Sequence, residues 1–193
     1  MATDAMTADA DSGGELVRRA RTDRDALGQL YDRHYAGVLR YCIHRLFDRE
    51  AAEDVTSTVF LEVARQVRSF TGQTEQDFAN WLYAIATNQV NAYIRRVLRH
   101  RQLLGQAVQT QQIRLCTDRD EQVERRLDWP RLHEAIAGLS PREQAVITLR
   151  SFEDLPYERI ATVVGVSIWN ARTIHHRALN KLRAILSETA EDA

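Results

Sequence analysis

Between Ser167 and Lys181 the chain gathers side chains that can read the edge of a base pair or hold a phosphate. The amide of Asn170 matches the donor and acceptor edge of adenine, and the forks of Arg172 and Arg177 match guanine. Thr173, His176 and Lys181 add donors for bases or backbone oxygens, and Trp169 can lie against a thymine methyl or a sugar. Ala171, Ile174, Ala178, Leu182 and Ile185 recur among them at steps of three and four, which places an apolar stripe on one side of a helix and the readers on the other. Gly165 can take the positive φ of a tight turn, and Ser167 can cap the helix beyond it. A helix-turn-helix is therefore expected over Leu139 to Ile185, its second helix suited to a major groove.

Other chemistries have little support. No nucleophile and base pair or metal-ligand spacing occurs, and His175 and His176, as helix neighbours, point about 100° apart. Cys42 and Cys116 have no CxxC spacing and read as a buried or linker thiol, supporting neither zinc nor a disulfide. The expectation is a binding protein and not an enzyme, with no metal, no cofactor and no small-molecule substrate. No apolar run approaches the roughly 18 residues of a membrane span, and MATDAMTADADSGG is acidic where a secretory signal would be basic and then apolar. No membrane insertion and a cytoplasmic location are expected. Only 8 Gly and 3 Pro among 193 residues suit helices joined by few tight turns. The net charge of -1 conceals segregation, because Arg95, Arg96, Arg99 and Arg101 form one basic patch and Arg172, Arg177, Lys181 and Arg183 another. Glu50, Glu53, Asp54 and Glu62 make an acidic surface, so more than one macromolecular partner is implied.

The elements that must position these groups follow from periodicity. Residues 1–15 form an acidic leader expected to be disordered. From Leu16 the pattern turns helical, and Leu27, Leu30, Tyr31, Tyr35, Val38, Leu39 and Cys42 make an apolar stripe running to about Leu46. Asp48 can cap the next helix, where Val55, Val59, Val63 and Val67 repeat at steps of four while the acids face away. Phe70 to Phe78 reads as a loop containing Gly72 and a Thr74 to Asp77 capping pair, followed by a long helix to about His100 that buries Phe78, Leu82 and Ile85. Residues 102–129 read as a linker. Pro130 opens a second unit, 130–187, in which Ser140, Pro141 and Glu143 mark a helix start, and 188–193 is a tail. The fold class is all-α: two small helical domains, 16–101 and 130–187, joined by a flexible linker.

LSPREQAVITLRSFEDLPYERIATVVGVS closely resembles region 4, the promoter-binding region of the sigma-70 family of bacterial transcription initiation factors. YDRHYAGVLRYCIHRLFDREAAEDVTSTVFLEVARQVRSF, with DFANWLYAIATNQVNAYIRR after it, resembles region 2, which binds polymerase and melts the promoter. Their order and short connection are similar to the extracytoplasmic-function (ECF) sigma factors. The resemblance implies a sigma factor with core RNA polymerase, through its β′ and β subunits, promoter DNA and a dedicated anti-sigma factor as partners.

It also implies residue roles. Glu53 and Asp54 match the family's contacts to a β′ coiled coil, with Ser57 and Thr58 where relatives often carry a Gln-Glu pair. Phe70, Thr71 and Gly72 lie in the loop that grips a flipped minus-10 base; Asn88 lies beside it, Tyr83 and Asn91 share its helix, and Arg95 and Arg96 lie near the upstream duplex. Extruding a base costs a few kcal/mol, and aromatic stacking returns about 1 to 3 kcal/mol, so nearby aromatics matter. Trp81 is either core or DNA-facing, and Ala84 stands where many relatives have Arg. The minus-35 readers are Ser167, Trp169, Asn170, Arg172, Thr173, His176, Arg177 and Lys181. Ile174 and His175 invert the Arg-Leu order common in relatives, which leaves open which of them is buried.

The linker of about 28 residues spans at most roughly 90 Å extended and about 30 Å as a coil. Promoter elements one and a half to two helical turns apart lie about 50 to 70 Å from each other. The linker is thus expected to be drawn out along the polymerase, with mobile domains in the free chain. The alternative is a conventional helix-turn-helix regulator in which 16–101 serves dimerisation or effector binding.

Overall fold

The computed structural model describes residues 13–103 and 129–191. Residues 13–20 form α1, followed by α2 (Arg24–Leu46), α3 (Arg49–Gln66), a 3-10 turn (Val67–Ser69) and α4 (Glu75–Leu103). The second unit contains α5 (Trp129–Ala137), α6 (Pro141–Ser151), α7 (Tyr157–Val164) and α8 (Ile168–Glu191). Among the described residues there is no strand, and the expected all-α, two-domain class holds. Residues 1–12, the span 104–128 with Cys116, and 192–193 lie outside the described residues.

Local hydrogen bonding explains where the helices begin. The Asp48 carboxylate accepts from the Ala51 amide at 3.0 Å and starts α3. Thr74 and Asp77 cap reciprocally: the Asp77 amide donates to Thr74 Oγ1 at 3.0 Å, and the Thr74 amide to Asp77 Oδ2 at 3.0 Å. Ser140 and Glu143 repeat that box at α6, with Pro141 in the first turn. Ser167 Oγ accepts from the Asn170 amide at 3.2 Å. Two boundaries differ from the periodicity. The stripe beginning at Leu16 is interrupted at residues 21–23 because Asp23 caps α2, and α4 begins at Glu75, inside the expected loop.

Leu30, Val38, Tyr41, Cys42, Val59, Val63, Phe78, Leu82 and Val90 fill the centre of α2, α3 and α4 at no more than 1% exposure. Burial pushes the Cys42 thiol up to about 11, so it stays protonated. Ala135, Ile136, Leu139, Ile147, Ala178 and Leu182 form a smaller cluster joining α5, α6 and α8. The domains are not independent: Val146, Leu149, Leu155, Ile160 and Ala161 belong to the same buried cluster as Leu30 and Leu82. α7 packs on α4, and α6 packs on α2. The expectation of mobile domains is therefore replaced by a closed arrangement. Its physical reason is the apolar surface that α6 and α7 leave uncovered by their own small unit, each large side chain contributing about 1.5 to 3 kcal/mol when fully buried.

Gly165 sits at φ +67° with nothing within 4 Å of where a Cβ would stand. Gly165→Ala should therefore cost only the backbone strain of the left-handed region, about 1 to 2 kcal/mol, seen as a lower urea midpoint. An unchanged midpoint would mean that the turn re-forms by another route.

Candidate nucleic-acid interface

On α8 the structure places most of the predicted readers together at the surface. Trp169 is 79% exposed, and Asn170, Arg172, Thr173, His176 and Arg177 are exposed beside it, while Ala171 and Ala178 are fully buried behind them. The guanidinium of Arg172 lies 5.4 Å from the Tyr157 ring centre, a cation-π contact that holds it at the start of the helix. Thr173 donates its hydroxyl to the Trp169 carbonyl at 2.9 Å. Lys181 stands apart, because its Nζ lies 2.7 Å from Glu143 Oε1, tying α8 to the capped start of α6. Ile174 and His175 are both half-buried: Ile174 packs on the core, and His175 Nδ1 lies 2.9 Å from the Tyr157 hydroxyl. Burial, with the Arg150 and His176 charges, lowers the His175 pKa and keeps the ring neutral at pH 7.

The second predicted face divides in two. Phe70 stacks on Trp81 at 4.7 Å and meets Phe78 edge-on at 5.9 Å, so Trp81 is half-buried inside an aromatic cluster. A Cβ on Gly72 would stand 2.2 Å from Phe70 Cζ, so only glycine lets the Phe70 ring fold back over the loop. Thr71, Asn88, Arg95 and Arg96 are exposed, and Arg96 lies over the Tyr93 ring at 5.3 Å. Tyr83 and Asn91 are not with them. Tyr83 is 9% exposed, and the Asn91 side-chain oxygen accepts from Arg45 at 2.9 Å. Both face the meeting of the two domains because they sit about two turns apart on the side of α4 nearest α2 and the second domain.

Glu53, Asp54, Ser57 and Thr58 share an exposed strip of α3. Glu53 pairs with Arg49 at 2.9 Å, and the Ser57 and Thr58 hydroxyls donate back to the carbonyls of Glu53 and Asp54. One turn on, Leu61 is 59% exposed, and Tyr31, at 41%, meets Phe60 at 4.6 Å. The strip is thus acidic at one end and apolar at the other.

Sequence reasoning missed the groups that join the domains. The Glu153 side chain is 1% exposed and receives Arg40 Nε at 3.1 Å, Arg40 Nη2 at 2.6 Å and the Tyr83 hydroxyl at 3.3 Å. His44 Nδ1 lies 3.8 Å from Glu153 Oε1, and the His44 ring packs on Phe152 at 4.3 Å. Burial pushes the Glu153 carboxyl up, but His44 and Arg40 outweigh it and hold the group below the ordinary glutamate value. Close by, Arg45, 4% exposed, donates to the neutral oxygens of Tyr41, Asn91 and Gln144. Arg159 reaches Asn80 at 2.9 Å. Glu153 lies in the segment FEDLP, which reads as a helix breaker; no local signal connects it to Arg40, 113 positions away. Among the described residues no group of His, Cys, Asp and Glu is placed to hold a metal, and no helix is long and apolar enough to cross a membrane.

Glu153→Ala should weaken the domain contact by about 1 to 3 kcal/mol, since the Tyr83 hydroxyl loses a charged partner. The radius of gyration from small-angle scattering should rise; an unchanged radius would show that apolar packing alone holds the domains. Because the folded carboxyl is lowered, its contribution is present above the ordinary value of 4.5 and is lost as pH falls through the lowered one. Opening of the wild-type chain by this route is expected only in acid, below about pH 4.5.

Comparison with known proteins accords with this geometry. Residues 30–100 match the family description Sigma-70 region 2, and residues 135–184 match Sigma-70, region 4. Over 187 residues, 95% of this chain and 70% of the relative, it is 32% identical to the ECF RNA polymerase sigma factor BldN of Streptomyces coelicolor. It is 30% identical over 159 residues to the ECF RNA polymerase sigma factor SigL of Mycobacterium tuberculosis, covering 82% of this chain and 88% of that one. Its fold is like that of the sigma factor RpoE of Bartonella quintana, solved with the anti-sigma factor NepR, at 20% identity and a TM-score of 0.65 over 83% of this chain and 96% of that chain. With both regions present in order and the two-domain helical fold in place, the chain belongs to the ECF sigma factors of the sigma-70 family.

Proposed function

We propose that the chain is a dissociable specificity subunit that binds core RNA polymerase, recognises a two-part promoter and opens it. The carrying observation is that two separate faces bearing groups suited to bases and phosphates occur on one chain: the exposed start of α8, and the Phe70 to Gly72 loop with Asn88, Arg95 and Arg96. Trp169, Asn170, Arg172, Thr173, His176 and Arg177, with Ser167 as cap, read a minus-35 element, and Lys181 acts through Glu143 to hold the reading helix in place. The loop takes a flipped minus-10 base against the Phe70, Phe78 and Trp81 cluster. Tyr83 and Asn91 act from behind that face.

Glu53, Asp54, Ser57 and Thr58 dock on the β′ subunit, with Leu61 and Tyr31 supplying apolar contact. The protein acts in the cytoplasm by binding alone. Region 2 lies within 16–101 and region 4 within 130–187. In the closed arrangement α4 touches α7 and α7 touches α8, so both faces are carried on one packed body. To reach promoter elements about 50 to 70 Å apart, the two domains separate at the Glu153 contact on the polymerase. A dedicated anti-sigma factor is the partner that would hold the free form, as NepR accompanies the RpoE likeness.

The test is reconstitution of the purified chain with core polymerase. Promoter-dependent transcripts are expected, and Glu53→Ala with Asp54→Ala should reduce them at least about tenfold, about 1.4 kcal/mol, through loss of polymerase affinity. Absence of any such transcript on genomic templates would sink the reading, and tight operator binding without polymerase would favour a conventional regulator. Arg172→Ala should cost about 1 to 3 kcal/mol at one base position if it reads an edge, or lose binding uniformly if it holds phosphate.

A further inference from the structure

A cleft of about 350 Å³ lies where the turn between α1 and α2 meets the end of α3 and the 3-10 turn. Arg21, Arg24, Arg65 and Arg68 surround it, with Leu27 and Val67 among its apolar lining. Asp23 is the acid of the lining, and its carboxylate is already held by Arg19 at 2.8 Å and by the Asp25 amide at 2.9 Å. Arg65 reaches Glu62 only at 3.5 Å, and among the described residues Arg24 and Arg68 have no carboxylate at ion-pair distance. Arg21 Nε is buried without a partner, while its Nη2 donates to the Gly72 carbonyl at 2.6 Å. Guanidiniums gathered in one cleft repel each other and focus a positive potential, which an entering anion relieves.

The Arg21 bond decides which anion. It ties the cleft to the very loop assigned to the flipped base, so a strand with a base in that loop carries its neighbouring phosphates past the arginines. The lining holds no aromatic ring on which a base could stack, which fits backbone rather than base recognition. We propose that this cleft seats the phosphates of the melted single strand beside the flipped minus-10 base. The proposal rests on the promoter-opening reading above. It assigns Arg24 and Arg68 as sequence-independent phosphate contacts, with Arg21 coupling their occupancy to the loop.

The experiment uses holoenzyme made from the full chain and core polymerase, on a pre-melted fork template from a promoter that the holoenzyme selects. Arg24→Ala with Arg68→Ala, both exposed and outside the core, should bind the fork about tenfold more weakly. The slope of log affinity on log salt should fall by about 1.4, at roughly 0.7 per single-strand phosphate for two contacts. Neutral methylphosphonate linkages beside the flipped base should weaken the wild type equally and abolish the variant's deficit, and Arg24→Lys with Arg68→Lys should restore most of the affinity. Equal binding by wild type and the Ala variant, or a deficit that survives neutral linkages, overturns the proposal. So does protection of the cleft by millimolar inorganic phosphate with no effect on fork binding, which would make it a small-anion site. If wild-type holoenzyme opens no promoter at all, the promoter-opening reading falls and takes this proposal with it.

Discussion

A carboxylate that is 1% exposed has to be paired, and the Glu153 carboxylate of the second domain finds its partners on the first. Arg40 and the Tyr83 hydroxyl come from α2 and α4, so the acid is satisfied only when the two domains meet in one orientation. That constraint sets α7 against α4 and brings Gln144 to Arg45, whose other partners, Tyr41 and Asn91, belong to the first domain. Arg40 keeps 41% of its side chain in solvent, which makes the pair cheaper to separate than one buried on both sides. A contact of that kind can specify an arrangement without locking it.

The helix α4 carries the consequences. One side packs into the first domain through Phe78, Leu82 and Val90, a second meets α7 at Asn80 and the loop before α7 at Tyr83, and a third leaves Asn88, Arg95 and Arg96 to solvent. Domain closure therefore covers Tyr83 and Asn91 and leaves Asn88, Arg95 and Arg96 exposed. The start of α8 stays exposed throughout because α7 lies between it and α4. Trp169 is a large apolar ring left at 79% exposure among the described residues.

Much of this was legible in the residues themselves. Asp48, Thr74 with Asp77, Ser140 with Glu143, and Ser167 each cap the helix expected of them, because a cap needs only atoms within three residues. The valine stripe of α3 is buried as its spacing requires. Lys181, Tyr83 and Asn91, expected among the DNA-facing groups, are joined to Glu143, Glu153 and Arg45. Periodicity separates the two sides of a helix but does not say which polar side another element will cover.

The sequence by itself thus determined the all-α class, the helix boundaries to within a few residues, the two stripes and the chemistry of the α8 surface, since all of these arise from interactions a turn or two apart. Tertiary structure alone decided that the two domains close on each other, that Glu153 and Arg40 meet across 113 positions, and that four arginines from the α1–α2 turn, α2, α3 and the 3-10 turn surround one cleft. Such meetings depend on where packed helices bring their ends, and side chains distant in the chain leave no mark on one another's local pattern.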